Sequence, residues 1–167
     1  MTADGILNLV STLAVLAGVI FGIIQLRQFE KSRRREGAVL ILNSLQTEEF
    51  LRGLRVLGEI PPGLDKAGVE ARAGEDLDAL YLVVATWERI GILVYRRELS
   101  LEMVEDAHSG TIVNSWIKLQ GFVEGLRELE NRDTVLEWFQ WLAERIIERE
   151  DQEPPVPAYL DHQDWQP

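Results

Sequence analysis

Residues 75–94, EDLDALYLVVATWERIGILV, decide the fold. Taken alone, VVATW and ILVY are β-branched enough to suit strands. Yet Leu77, Tyr81, Val84, Glu88 and Gly91 recur at steps of three and four, and Leu80, Val83, Trp87, Ile90 and Val94 broaden the same face. A 3.6-residue period sustained over several turns outweighs strand preference, so this stretch is predicted to be a core helix.

The same period extends in both directions. Upstream, Thr47 precedes Glu48 and Glu49, an N-cap followed by acidic residues in a first turn, and Phe50, Leu54 and Leu57 follow at helical spacing. Gly58 and the run Pro61, Pro62, Gly63 stop that helix, and residues 64–74 are predicted to be a loop with at most a short helix. Downstream, Ser100 caps a short helix carrying Leu101, Val104 and Ala107, which His108, Ser109 and Gly110 are expected to close. A further helix is predicted over residues 111–130, with Ile112, Trp116, Leu119, Val123 and Leu126 inward. Asp133 is expected to cap a last helix with Val135, Trp138, Phe139, Leu142 and Ile146 inward. No stretch alternates with period two long enough to make a sheet, so the fold class is all-α, a body of four to six helices.

Residues 6–26, ILNLVSTLAVLAGVIFGIIQL, carry no charge and are followed by RQFEKSRRR. At about 1.5 Å per residue such a helix covers a hydrocarbon core of roughly 30 Å while satisfying its own backbone. A cleaved signal peptide would have its basic residues before the apolar stretch, and a surface helix would show a charged stripe. The segment reads as a single transmembrane helix. Arg27, Lys31, Arg33, Arg34 and Arg35 on one flank, against Asp4 on the other, set the orientation N-out with the C-terminal body in the cytoplasm, at an inner (plasma) membrane. The same basic residues are candidates for lipid headgroup contact. Within the span Ala14, Gly18 and Gly22 line one face with small residues, a strip on which a second helix can pack closely. The absence of a breaker after residue 28 predicts that the helix continues into the body.

Three regions follow: an anchor with its basic flank at 1–36, a cytoplasmic helical domain at 37–150, and a Pro-rich acidic tail at 151–167. The net charge of −11 divides into +2 over the first 36 residues and −13 beyond them. An acidic body argues against nucleic acid as a partner, since duplex binding depends on Lys and Arg neutralising phosphates. With no cysteine in the chain, disulfides, thiol catalysis and Cys-type zinc sites are excluded. The tail, DQEPPVPAYLDHQDWQP, has four prolines and few apolar residues, too few to offset its ordering entropy, and is expected to be disordered.

The anchor followed by RRREGAVLILNSLQTEEFLRGLRVLGEIPPGL, then WERIGILVYRRELSLEMVED, NSWIKLQGFVEGLRE and LEWFQWLAERI, resembles a bacterial family of single-span membrane proteins with a helical cytoplasmic region, domain of unknown function 4760. The resemblance runs from the span to about Ile147. These are packing motifs rather than catalytic ones, and the family carries no activity to transfer.

Candidate functional residues are correspondingly few. Glu88, flanked by Val84, Trp87 and Ile92, is a carboxylate placed for partial burial. It is either a general acid or base with a raised pKa, or a structural group paired with Arg89, Arg96 or Arg97 or bonded to loop backbone. His108 lies beside Glu105 and Asp106 with no second histidine a turn away, so no metal ligand pair forms. Gly121 and Gly125 provide either a close packing face within the body or a seat for a partner helix. Trp141, offset from the main stripe of its helix, and Tyr159 and Trp165 in the tail are candidate interface residues, and Pro154 with Pro157 makes a P-x-x-P docking signal. No phosphate-cradling loop, serine elbow or metal pair is present, so no enzyme, cofactor or metal is expected. The expected function is that of a membrane-anchored interaction or scaffold protein, a homo-oligomer or an accessory subunit on a membrane-protein partner. The alternatives are a membrane enzyme using Glu88 and an oligomeric ion or lipid pathway.

Overall fold

The computed structural model describes residues 18–23, residue 25 and residues 47–166. The chain divides into two compact units, Met1–Leu40 and Ile41–Pro167. Within the first, residues 18–23 are helical and exposed. Ala14, Arg27, Lys31, Arg33, Arg34 and Arg35 lie outside the described residues, as do most of the predicted span and its predicted continuation into the body. Among the described residues no helix is long and apolar enough to cross a membrane.

The second unit is all-α among its described residues. Helix α1 (Glu48–Glu59) starts where Thr47 Oγ1 accepts the Phe50 N–H at 3.2 Å. It ends at extended Ile60, before the proline pair. Its last carbonyls are bound from a distance: Lys118 Nζ donates to Leu57 O and Gly58 O, both at 2.9 Å, as a C-cap borrowed from another helix. Helix α2 (Lys66–Ala73) is the short helix that the stretch 64–74 was expected to hold at most, and it fills most of that stretch. Asp65 accepts the Gly68 N–H at 2.8 Å, and Val69 and Ala73 are buried, which is what turns a weakly patterned segment helical. A 3₁₀ turn (Gly74–Asp76) leads into α3 (Leu77–Tyr95), the core helix predicted from its period, with Leu80, Val83, Trp87 and Ile90 buried.

Helix α4 (Leu101–Glu130) is one continuous helix, not the two that His108, Ser109 and Gly110 were expected to separate. Ser100 caps it as expected, Oγ accepting the Met103 N–H at 3.3 Å. A single exposed glycine costs a helix about 1 kcal/mol, and burial of Val104 and Ile112, eight residues apart on one face, outweighs it. Helix α5 (Glu137–Gln152) begins three residues later than a cap at Asp133 would place it. Its buried face is Phe139, Leu142, Ala143 and Ile146; Trp138, expected inward, is only half-buried and lies off that face. Beyond α5 the tail makes one helical turn, α6 (Ala158–Asp161), so the expected disorder is not complete, but every described residue of 151–166 is exposed.

Helix α3 packs between α1 and α5, while α4 holds α5 on one side and α2 on the other. Glycines set the close crossings. A Cβ on Gly53 would sit 2.2 Å from Ala79 O, and one on Gly91 2.3 Å from Trp138 O, so α1 and α5 meet α3 backbone to backbone. Helices α3 and α4 touch little along their backbones, and Trp87 bridges them. Its ring packs edge-on to Phe50 at 5.5 Å and lies 6.0 Å from the His108 ring, and its Nε1–H donates to Ser115 Oγ at 3.1 Å. Ser115 in turn donates to Thr111 O at 2.6 Å, so this polar pair in the core is satisfied.

Candidate functional site

Where the end of α3 meets the start of α5, the chain builds a surface of three aromatic rings. Gly91 lets the Trp138 backbone press against α3, and the Trp138 ring, kept out of the core by that approach, lies 4.6 Å from Tyr95, the last residue of α3. Trp141, one turn on, meets Tyr95 edge-on at 6.0 Å and Trp138 at 6.1 Å. Tyr95 is 59% exposed and both tryptophans are half-buried, Trp141 packing partly on the core. Paired aromatics on a rigid support have the composition of binding hot spots: large contact area and little side-chain entropy to lose.

The support is unusual because α5 has no local N-cap. Leu136 stands at its N-cap position with φ 54°, in the left-handed region that a leucine seldom adopts, and offers no capping atom. Glu88, one turn before Gly91 on α3, supplies the missing acceptor: its Oε2 takes the Phe139 N–H at 2.7 Å across 51 residues. Arg127 of α4 holds the other side of the turn, with Nε donating to Val135 O at 2.9 Å and a guanidinium N–H to Gln140 Oε1 at 2.8 Å. Val135 and Leu136 pack on the core, and their burial together with the two clamps offsets the backbone strain. Of the two roles weighed for Glu88, the geometry gives it the bond to backbone. Its basic neighbour is Arg127 rather than Arg89, Arg96 or Arg97, which join none of the described ion pairs.

Burial pushes the Glu88 carboxyl above its ordinary value; the Phe139 and Trp138 N–H groups pull it back, Glu137 pushes it further and Arg127 opposes that. A carboxyl whose folded pKa is raised holds its proton more tightly in the folded chain, so its contribution falls as pH climbs from the ordinary carboxylate range through the folded pKa. Glu88→Gln keeps an oxygen for Phe139 without a charge to bury. It is expected to hold stability within about 0.5 kcal/mol and to flatten that decline, whereas Glu88→Ala orphans the N–H and costs about 1–3 kcal/mol. Urea midpoints measured across the acid limb for the three proteins check both statements; equal losses for the two variants would show that the cap is not the role.

The other predicted residues fall as follows. The face of Gly121 and Gly125 is filled by the chain's own residues 64–66: a Cβ on Gly121 would lie 2.5 Å from Leu64 O, and one on Gly125 2.6 Å from Lys66 Cβ. That is the close packing option, and it corrects their assignment as a partner-helix seat. His108 is mid-helix rather than at a helix end, half-buried beside Trp87, and burial lowers its pKa. Glu105, a turn earlier, reaches Arg149 at 3.1 Å. Tyr159 and Trp165 are exposed in the tail, 76% and 72%. Gly18 and Gly22 are helical with open space where a Cβ would stand. An open groove of about 250 Å³ lined by Glu49, Arg52, Glu75, Asp76 and Asp78 has Arg52 lying 3.8 Å from Glu49 and 3.7 Å from Asp76. Among the described residues no three His, Asp or Glu side chains gather as for a metal ion.

The pairing of Tyr95 with Trp138 was not anticipated. The available signal was Trp138 and Trp141 at a three-residue step, but nothing local shows that Gly91 turns one of them outward. No curated protein and no solved structure matches the chain. A family model does, over residues 12–146, ending on the last buried residue of α5, and the chain belongs to that family, described as Domain of unknown function (DUF4760).

Proposed function

We propose that this protein is a membrane-anchored helical scaffold that works by self-association or as an accessory subunit of a membrane assembly. The observation that carries the reading is the helix at residues 18–23, on which Val19, Ile20, Phe21 and Ile23 are 48–63% exposed at consecutive angles around the axis. A helical stretch that exposes four large apolar side chains and no charged one is suited to lipid or to another span. The charge division supports the same reading, with a basic flank next to the apolar segment and an acidic body kept off an anionic surface. In this reading the segment crosses the inner membrane N-out, and the helical body hangs in the cytoplasm. Tethering confines the body to two dimensions and raises its effective concentration against neighbours. Glu88, engaged as the cap of α5, offers no particular support to an enzymatic alternative.

The open strip at Gly18 and Gly22 is where span pairing would occur. Gly18→Ile with Gly22→Ile, in the full chain in mild detergent, is expected to lower the oligomer mass to that of a smaller species. An unchanged mass would remove the strip as the interface.

A further inference from the structure

We propose that the aromatic pair Tyr95 and Trp138, with Trp141 beside it, receives the P-x-x-P stretch, residues 154–157, of a second copy of this chain. The inference rests on the self-association reading above and specifies a second, non-membrane contact for it.

Three observations select this occupant. The first is chemical fit. Pro154, Pro155 and Pro157 make a P-x-x-P stretch, and Pro157 already has the polyproline II backbone, φ −56° and ψ 131°. Such a segment loses little entropy on docking, and its ring faces stack on grooves lined by Tyr and Trp. Within the stretch Val156 is an apolar anchor, 60% exposed.

The second is charge. Residues 151–166 carry Asp151, Glu153, Asp161 and Asp164 and no Lys or Arg. On a body whose residues 37–150 carry a net charge of −9, Arg96 and Arg97 are an exposed basic pair directly after Tyr95, followed by exposed Glu98, and neither arginine joins a described ion pair. Arg96 and Arg97 give the acidic tail two positive partners on a body that otherwise repels it, alongside the exposed carboxylates of Glu98 and Glu137.

The third is reach, which separates a second copy from the tail's own body. Trp138 lies 14 residues before Gln152, about 21 Å back along α5. Pro157 is five residues past Gln152 and, even if the chain reversed at once, extends only about 16 Å in polyproline geometry. The P-x-x-P stretch cannot cover the Tyr95–Trp138 pair of its own chain. From a neighbouring chain it meets no such limit, and exchange between two copies makes the contact reciprocal.

The test uses the full chain with p-benzoylphenylalanine in place of Val156, mixed in equal amounts as unlabelled and ¹⁵N-labelled protein, then irradiated and read by mass spectrometry. Cross-links are expected on the peptides holding Tyr95, Trp138 or Trp141, with heavy–light pairs among them. Tyr95→Ala with Trp138→Ala, both outside the buried core, should lower their yield about tenfold, the effect of removing an aromatic hot spot. Arg96→Glu with Arg97→Glu should lower it as well, with unchanged circular dichroism. Exclusively same-label pairs, attachment to lipid, or attachment to another part of the body would overturn the proposal. Oligomer mass, measured separately, keeps the two readings apart: an oligomer lacking the mixed cross-link removes the tail contact alone, and a monomer removes both.

Discussion

Trp87→Ala is expected to cost about 3–5 kcal/mol, the range for truncating a fully buried large aromatic. Trp87 is 0% exposed and fills the space that the α3 and α4 backbones leave between them. Its loss removes the edge-on contact with Phe50, uncovers His108 and leaves a cavity that two helices joined at few backbone points do not readily close. Trp87→Phe should cost far less, on the order of 1–2 kcal/mol, because much of the volume remains and Ser115 keeps its bond to Thr111 O. Since a domain of this size has only about 5–15 kcal/mol in total, the alanine variant should sit near its unfolding threshold. Urea denaturation followed by far-ultraviolet circular dichroism measures both, and a loss below about 1 kcal/mol for the alanine variant would contradict Trp87 as the bridge between α3 and α4.

Two glycine substitutions should have opposite signs. Gly91→Ala and Gly110→Ala both place a better helix former inside a helix, a change worth up to about 1 kcal/mol in favour of alanine. At Gly110, mid-α4 and exposed with open space around a Cβ, that gain should appear as added stability. At Gly91 the new Cβ lies 2.3 Å from the carbonyl oxygen of Trp138, a backbone atom that no rotamer change moves away. Helices α3 and α5 must separate, Glu88 is drawn off the Phe139 N–H, and the net cost should be about 1–3 kcal/mol. Because the same displacement shifts Trp138 off Tyr95, a change in tryptophan emission should accompany it. Equal thermal midpoints for the two variants would show that the α3–α5 crossing is looser than this geometry.

The elements themselves were legible because their signals are short-range. The period of residues 75–94 specified α3 despite its β-branched residues, and Thr47 and Ser100 cap the helices they were expected to cap, each through a hydroxyl three residues from its N–H. The failures share a cause. His108, Ser109 and Gly110 resemble a helix end locally, yet α4 runs through them because Val104 and Ile112 are held by the same core. Asp133 resembles an N-cap, yet α5 starts at Glu137, where the cap comes from Glu88 on another helix. Gly121 and Gly125 show a packing face in the sequence, but only the folded chain shows that residues 64–66 occupy it.

By itself, then, the sequence determined the all-α class, the position of the central helix, and the acidic charge of the body with its basic flank, since each depends on residues within a few positions of one another. The tertiary structure decided what distance along the chain conceals. Glu88 reaches Phe139 across 51 residues and Lys118 reaches Gly58 across 60, so helix ends with no local cap are stable only once the helices have met. The aromatic surface belongs to the same class: Tyr95 and Trp138 become neighbours because a glycine one turn before Tyr95 has no side chain to keep α5 away.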